Sequence, residues 1–210
     1  MWALLWLCAF APVYGEVIDR IAVTVDKEVI TESDLIRDLR IDAFIDRKPV
    51  DTSPDARRSA AQRLVDQILI FREAADSHID VTSSPDIDKL LQGEKAQFAS
   101  EDQFRNALAE YHITESDLKE HLSNGWRALR FTDLRFRPDV LISDDDIRQR
   151  YELLAAEWRK AGRSSIPSLD DSRDQIEKLL TDEGTIKALD AWLATQRESM
   201  RIRYREAAFK

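Results

Sequence analysis

The chain of 210 residues has little glycine, with five residues, and only one cysteine. Glycine-rich turns let a backbone cradle phosphate groups, yet the sequence contains neither a phosphate-binding loop nor a dinucleotide-binding fingerprint. It also lacks a nucleophile elbow. These absences argue against an ATP-driven mechanism. We predict a protein that is not an enzyme, with no catalytic residues, no metal site and no cofactor.

The single cysteine, Cys8, lies inside an uncharged apolar run over residues 2–10. The run is shorter than the roughly 20 residues that span a membrane. Small residues follow at Val13 and Gly15, a pattern typical of a secretory signal peptide cleaved after Gly15. Basic residues do not precede the run, so an uncleaved anchor is the alternative. We predict a signal peptide over 1–15, a periplasmic location and a mature chain without thiols, disulfides or stable membrane insertion.

The charge of the chain is acidic, with 40 Asp and Glu against 31 Lys and Arg and a net charge of −9. Nucleic-acid binding needs a basic face, so we predict no nucleic-acid partner. None of the three histidines, His78, His112 and His121, pairs with another histidine or with a carboxylate at a helix spacing typical of a metal site. We expect each to be an exposed or partly buried helix residue.

Low glycine and proline, 43% hydrophobic residues and 34% charged residues favour long solvated helices. We therefore predict a mainly α fold. A helical pair is expected on either side of Gly184, after a break over residues 161–167. The predicted helix starts, each a capping Ser or Thr, are Thr31, Ser53, Ser84, Ser100, Thr114 and Ser143.

Two alternating segments near the chain ends read as strands, residues 18–26 and residues 201–205. In the first, Ile21, Val23 and Val25 share one face. An isolated strand exposes unpaired backbone groups, which is costly. The simplest solution is that the two strands pair, which predicts a small β-element formed by the N-terminal and C-terminal strands within one discontinuous folding unit.

A basic stretch interleaved with aromatics admits three interpretations. It could mark a nucleic-acid site, a surface for client peptides, or a helix with a solvated charged face and packed aromatics. The net negative charge favours the last of these. The residues are Arg127, Arg130, Arg135 and Arg137, with Trp126, Phe131 and Phe136 among them.

Residues 16–35, which join the predicted N-terminal strand to the helix start at Thr31, resemble the opening of the SurA-like periplasmic chaperones, the SurA N-terminal domain family. The stretches over 113–118 and 142–151 are similar to its internal helix starts. Closing segments match at 168–180, 188–194 and 201–205. Many members carry a parvulin-type prolyl isomerase domain where this chain has only a short loop, so isomerase activity is not carried over.

The resemblance implies a multi-helix chaperone body without ATP or isomerase chemistry, which holds unfolded outer-membrane protein precursors in an apolar groove. The implied organisation is an N-terminal helical domain over 16–160, a short linker over 161–167 at the position of the missing parvulin domain, and C-terminal helices and a strand over 168–210 that pack back on it. Candidate client-binding residues are Leu118, Leu122, Trp126, Leu129, Phe131 and Trp158.

Two alternative hypotheses remain at this point. The first is a non-enzymatic helical adaptor or structural module that binds one folded envelope partner, an interpretation that includes a homodimer. The second is a cytoplasmic nucleic-acid-binding or regulatory protein whose N-terminus has been misread as a signal. Apolar stripes do not separate a core from a groove, because a groove is an apolar stripe left partly uncovered.

Overall fold

A computed structural model describes residues 19–82, 87–163 and 165–210. It is mainly helical with a small antiparallel sheet, which confirms the predicted fold class. The predicted signal peptide and the helix start at Ser84 lie outside the described residues. The elements are β1 (Ile21–Val25), β2 (Glu28–Thr31), α1 (Glu32–Asp46), α2 (Pro54–Asp76), α3 (Ile87–Lys95), α4 (Glu101–Glu110), α5 (Glu115–Phe136), a 3₁₀ turn (Arg137–Asp139), α6 (Asp144–Lys160), α7 (Leu169–Ser199), β3 (Ile202–Tyr204) and a second 3₁₀ turn (Glu206–Phe209).

The two ends of the chain pair with each other, as predicted. The sheet order is β2-β1-β3, with β1 in the centre and antiparallel to both neighbours. Val25 lies opposite Ile202, and Val23 lies opposite Tyr204. The sheet gains a third strand, β2, from the short apolar stretch before the first helix. The two ends of the chain are therefore joined by backbone hydrogen bonds between residues about 180 positions apart.

The predicted face of β1 is wrong at one position. Ala22, Val23 and Val25 are buried, whereas Ile21 is 44% exposed. The register between β1 and β2 shifts between Ile21 and Val23. A bulge of this kind inserts an extra residue on one strand and reverses the alternation of faces beyond it. The sequence pattern alone assumes a regular strand and so places Ile21 on the buried side.

Most predicted helix starts are confirmed by their hydrogen bonds. At Thr31, Thr114 and Ser143, the hydroxyl accepts from the backbone N–H three residues on, and an Asp at that position accepts from the capping residue's own N–H. This reciprocal capping satisfies two donors that a helix would otherwise leave unpaired. Ser53 caps α2 with Pro54 in the first turn. Local capping therefore fixes where these helices begin.

The predicted break at Gly184 is wrong, because α7 runs unbroken through it for 31 residues. The glycine instead serves a close approach. A Cβ built at Gly184 would lie 2.7 Å from Cγ1 of Val140, in the segment that follows the first 3₁₀ turn. Real Cβ contacts are essentially never that short. The glycine thus lets the connection between α5 and α6 pack tightly on the middle of α7.

Two hydrophobic clusters form the core, and α1 and α5 contribute to both. The first joins the sheet to α2, the second half of α5, the end of α7 and the last 3₁₀ turn, with Phe131 and Phe209 among its buried members. The second joins the end of α1 to α3, α4 and the start of α5, with Phe44, Phe104 and Leu118 buried. Helices α1 and α5 therefore lie between the two clusters and pack into both.

The C-terminal segment is held to α2 by an ion pair and to the β1–β2 turn by a backbone hydrogen bond, in addition to the pairing of β3. The carboxylate of Asp66 in α2 accepts two hydrogen bonds from Arg197, at 2.7 and 2.6 Å. The backbone N–H of Asp26 donates to the carbonyl of Arg201 at 3.1 Å. A bidentate pair such as Arg197 with Asp66 fixes the orientation of the two side chains more strongly than a single hydrogen bond does. Helix α6, by contrast, packs mainly against α7.

Phe209→Ala tests the closure at the C-terminus. The ring is 2% exposed and packs in the first cluster, so its loss leaves a cavity. We expect the free energy of unfolding to fall by about 3–5 kcal/mol in urea unfolding. Phe209→Leu, which keeps most of the volume, is the control and should cost much less. Equal stability of all three chains would contradict the placement of this residue.

The role of Gly184 predicts opposite effects for two glycine-to-alanine changes. At Gly93 in α3 an added Cβ meets nothing within 4 Å, so higher helix propensity should stabilise the protein by up to about 1 kcal/mol. At Gly184 the same change collides with Val140, and overpacking should destabilise it by roughly 1–3 kcal/mol. Thermal unfolding measures both. A Gly184→Ala, Val140→Ala double variant should recover much of the loss.

Candidate functional site

Exposed apolar side chains concentrate on α5, α6, α7 and their connection. Among the described residues, six of the ten large hydrophobic side chains with high exposure lie between positions 129 and 186. The most exposed, Leu141, is 89% accessible and lies in the connection before α6. Clustered exposed apolar surface marks interaction sites more often than scattered residues do. The six are Leu129, Leu134, Leu141, Leu153, Leu179 and Ile186.

The predicted client-binding residues divide between core and surface. Leu118 and Phe131 have no exposed surface and belong to the second and first clusters, respectively. In this conformation neither side chain can touch a client. Leu122 is half-buried against the second cluster, and Trp126 is half-buried on the same helix. Most of the apolar residues predicted on α5 therefore pack into the two hydrophobic clusters and do not form an open groove.

Leu129 and Trp158 are the two predicted residues that offer surface. Leu129 is 52% exposed on α5. Trp158 on α6 is half-buried, and the guanidinium of Arg163 lies 5.6 Å from its ring centroid. Whether either contacts a client stays a prediction. Leu141 and Leu153 are more exposed than either residue but were not predicted as client-binding residues. Neither belongs to an apolar stripe of a helix, which is the pattern from which the candidates were taken.

The basic and aromatic residues of the stretch over 126–137 contact other residues of the chain. This agrees with the third interpretation, a helix with packed aromatics and a charged face. Phe131 and Phe136 pack edge to face at 5.8 Å. Arg127 lies over the ring of Phe71, with its guanidinium carbon 4.1 Å from the ring centroid. The remaining contacts are Arg130 to the carbonyl of Asp80, Arg135 to Asp139, and Arg137 to Asp133 and Asp182.

A groove of about 330 Å³ lies between α1, α2 and α5. Apolar side chains such as Ile41 and Ile68 line part of it. Its charged side chains are more acidic than basic, so the groove is electronegative when its carboxylates are ionised. The charged lining residues are Asp34, Asp38, Asp117 and Glu120 with Arg37 and Arg63, and the lining also includes His121.

Three of the lining residues, Asp38, Arg63 and His121, meet a second carboxylate, that of Asp42, beside this groove. The guanidinium of Arg63 on α2 donates to Asp38 at 2.6 Å and to Asp42 at 2.5 Å, both on α1. The ring of His121 on α5 lies between the same carboxylates, with Nδ1 3.8 Å from Asp38 and Nε2 3.8 Å from Asp42. Burial raises the pKa of Asp38, and Asp42 raises it further, while Arg63 and His121 act in the opposite direction.

Sequence reasoning missed this cluster because its parts come from three helices. Asp38 and Asp42 are four residues apart, the spacing that places two side chains on one helix face. That spacing was the available signal. His121 lies about 80 residues later, so no local motif links it to the pair.

Neither the protein-family models nor the curated proteins contain a match to this chain. Within residues 19–82, 87–163 and 165–210, every helix is too short or too polar to cross a bilayer.

The burial of Asp38 predicts a change in the pH dependence of stability on Asp38→Asn. A raised pKa means that the folded protein holds the proton more tightly than the unfolded chain does. Protonated Asp38 therefore adds to the free energy of unfolding. This added stability is fully present below the ordinary pKa of 3.8 and is lost as pH rises through the raised pKa of the folded state. Urea unfolding from about pH 3 to about pH 7 measures this loss of stability with rising pH, and Asp38→Asn should remove it because asparagine does not titrate.

Asp46→Asn is the control for that experiment. Asp46 is an exposed residue of the same helix, paired with Lys48 at 3.0 Å. The decline with pH should survive in this variant. If Asp38→Asn and the unchanged protein lose stability in parallel over this range, burial of Asp38 has no energetic consequence.

Proposed function

We propose that the protein is an ATP-independent periplasmic holdase for unfolded outer-membrane protein precursors, without prolyl isomerase activity. The observation that carries the proposal is the concentration of exposed apolar side chains between positions 129 and 186. The similarity of the chain ends to SurA-like chaperones supports it, and the pairing of those ends fits a body built from both termini.

The physical properties of such clients match an apolar surface of this kind. Unfolded outer-membrane strands alternate apolar and polar residues, and their apolar faces stay exposed until they reach the membrane. Several separate apolar contacts, such as those at Leu129, Leu141 and Leu153, shield a moving chain without fixing one conformation. The net charge of −9 keeps the complex soluble. No nucleotide is required for this kind of binding.

A helical adaptor for one folded envelope partner is the second candidate. The high exposure of Leu141, close to the tight contact of Val140 with Gly184, favours it, since a rigidly held apolar residue suits a fixed pocket. A holdase and an adaptor differ in what they bind. The adaptor would bind a folded partner at a fixed stoichiometry and would ignore unfolded chains.

Replacing Leu129, Leu141 and Leu153 together by serine should weaken the holdase. We expect the concentration that half-suppresses aggregation of an unfolded outer-membrane protein to rise roughly tenfold, since about 1.4 kcal/mol of lost apolar contact corresponds to that factor. Light scattering after dilution of the client from urea measures it. All three side chains are exposed, so folding should be preserved.

The matched control replaces two exposed apolar residues elsewhere, Val29 by threonine and Leu90 by serine. This variant should suppress aggregation as well as the unchanged protein does. Failure of the unchanged protein to suppress aggregation at stoichiometric ratios would overturn the holdase proposal. Recovery of one folded partner instead, without affinity for unfolded chains, would favour the adaptor.

A further inference from the structure

The cluster of Asp38, Asp42 and His121 has the composition of a metal site. Each residue offers one ligand atom, and these three atoms lie within 4.8 Å of one another. They come from two packed helices, α1 and α5, so the backbone holds them at a fixed separation. Neither the holdase proposal nor the fold requires a histidine between two carboxylates at this point.

The charges of the cluster do not balance. Two carboxylates face one guanidinium, that of Arg63, which leaves one negative charge in excess when both are ionised. Further carboxylates line the same groove. The Asp38 side chain is only 9% exposed, so solvent compensates little of this charge. A divalent cation would neutralise the pair in full, which a single arginine does not.

We propose that Asp38, Asp42 and His121 bind a divalent transition-metal ion of the zinc class, and that Arg63 is the resident cation that the ion displaces. Imidazole nitrogen with carboxylate oxygens is a ligand set that zinc accepts, whereas magnesium and calcium prefer oxygen alone. Three protein ligands leave one position of a tetrahedral ion open toward the groove.

An ion at this site requires side-chain movement. Zinc bonds to nitrogen and oxygen of about 2.0–2.2 Å place tetrahedral ligand atoms roughly 3.4 Å apart. The three ligand atoms lie within 4.8 Å of one another. Nδ1 of His121 is 3.8 Å from Asp38 and Nε2 is 3.8 Å from Asp42. Because an imidazole gives one ion only one of its nitrogens, one of the two carboxylates has to turn toward that nitrogen. The side chain of Arg63 is 47% exposed, so it can turn outward into solvent when an ion enters. The ion would join α1 to α5 directly, across the groove.

The proposal is tested on the purified full chain without a histidine tag and with Cys8→Ser, so that no thiol competes. Titration with Co²⁺, followed by its visible absorption, and with Zn²⁺, followed by calorimetry, should show one ion per chain with a dissociation constant on the order of micromolar. His121→Gln and Asp42→Asn should each weaken binding at least roughly tenfold. Arg63→Gln should strengthen it, because the competing cation is gone.

His78→Asn is the control, since His78 is exposed, lies outside the cluster and has a positive φ that asparagine tolerates. This variant should bind as the unchanged protein does. Proton NMR of the three histidine rings provides a second readout, in which Zn²⁺ should shift the His121 signals alone. Absence of binding at one ion per chain, or equal binding by His121→Gln, would overturn the proposal.

Discussion

The pairing of β3 with β1 is the interaction on which the rest of the structure depends. It brings Ile202 opposite Val25 and carries Phe209 into the first hydrophobic cluster. Helix α7 is thereby anchored at its end, where Arg197 holds Asp66 of α2. Its first half remains free to pack with α6. Without this closure, the buried strand β1 would expose an edge, and α7 would lose the body on which it rests.

Helix α5 connects the core to the exposed residues that could bind a partner. Its buried residues, such as Leu118 and Phe131, join the two hydrophobic clusters, so the helix cannot move without disturbing both. Its outward residues include Leu129, and α6 and α7 carry further exposed apolar side chains. The same helix also lines the electronegative groove with α1 and α2. The apolar surface and the acidic groove therefore share one rigid support.

Features set by nearby residues could be predicted from the sequence. The capping residues Thr31, Thr114 and Ser143 act within three positions of themselves, and the structure confirms them. The pairing of the ends was also predictable, because two isolated strands have few other partners. Gly184 was misread because its role depends on Val140, more than 40 residues away. The Asp38 cluster was missed for the same reason, since His121 reaches it only through helix packing.

The central claim is that the exposed apolar side chains between positions 129 and 186 bind unfolded chains, on a body held together by the pairing of β1 with β3. Photo-crosslinking tests it most directly, with a photoreactive amino acid placed at position 141 in one sample and at position 90 in another. Both positions carry exposed leucines, at 89% and 39%. The account predicts crosslinks to an unfolded outer-membrane protein from position 141 and few from position 90. Equal crosslinking from both positions, or none from position 141, would contradict it.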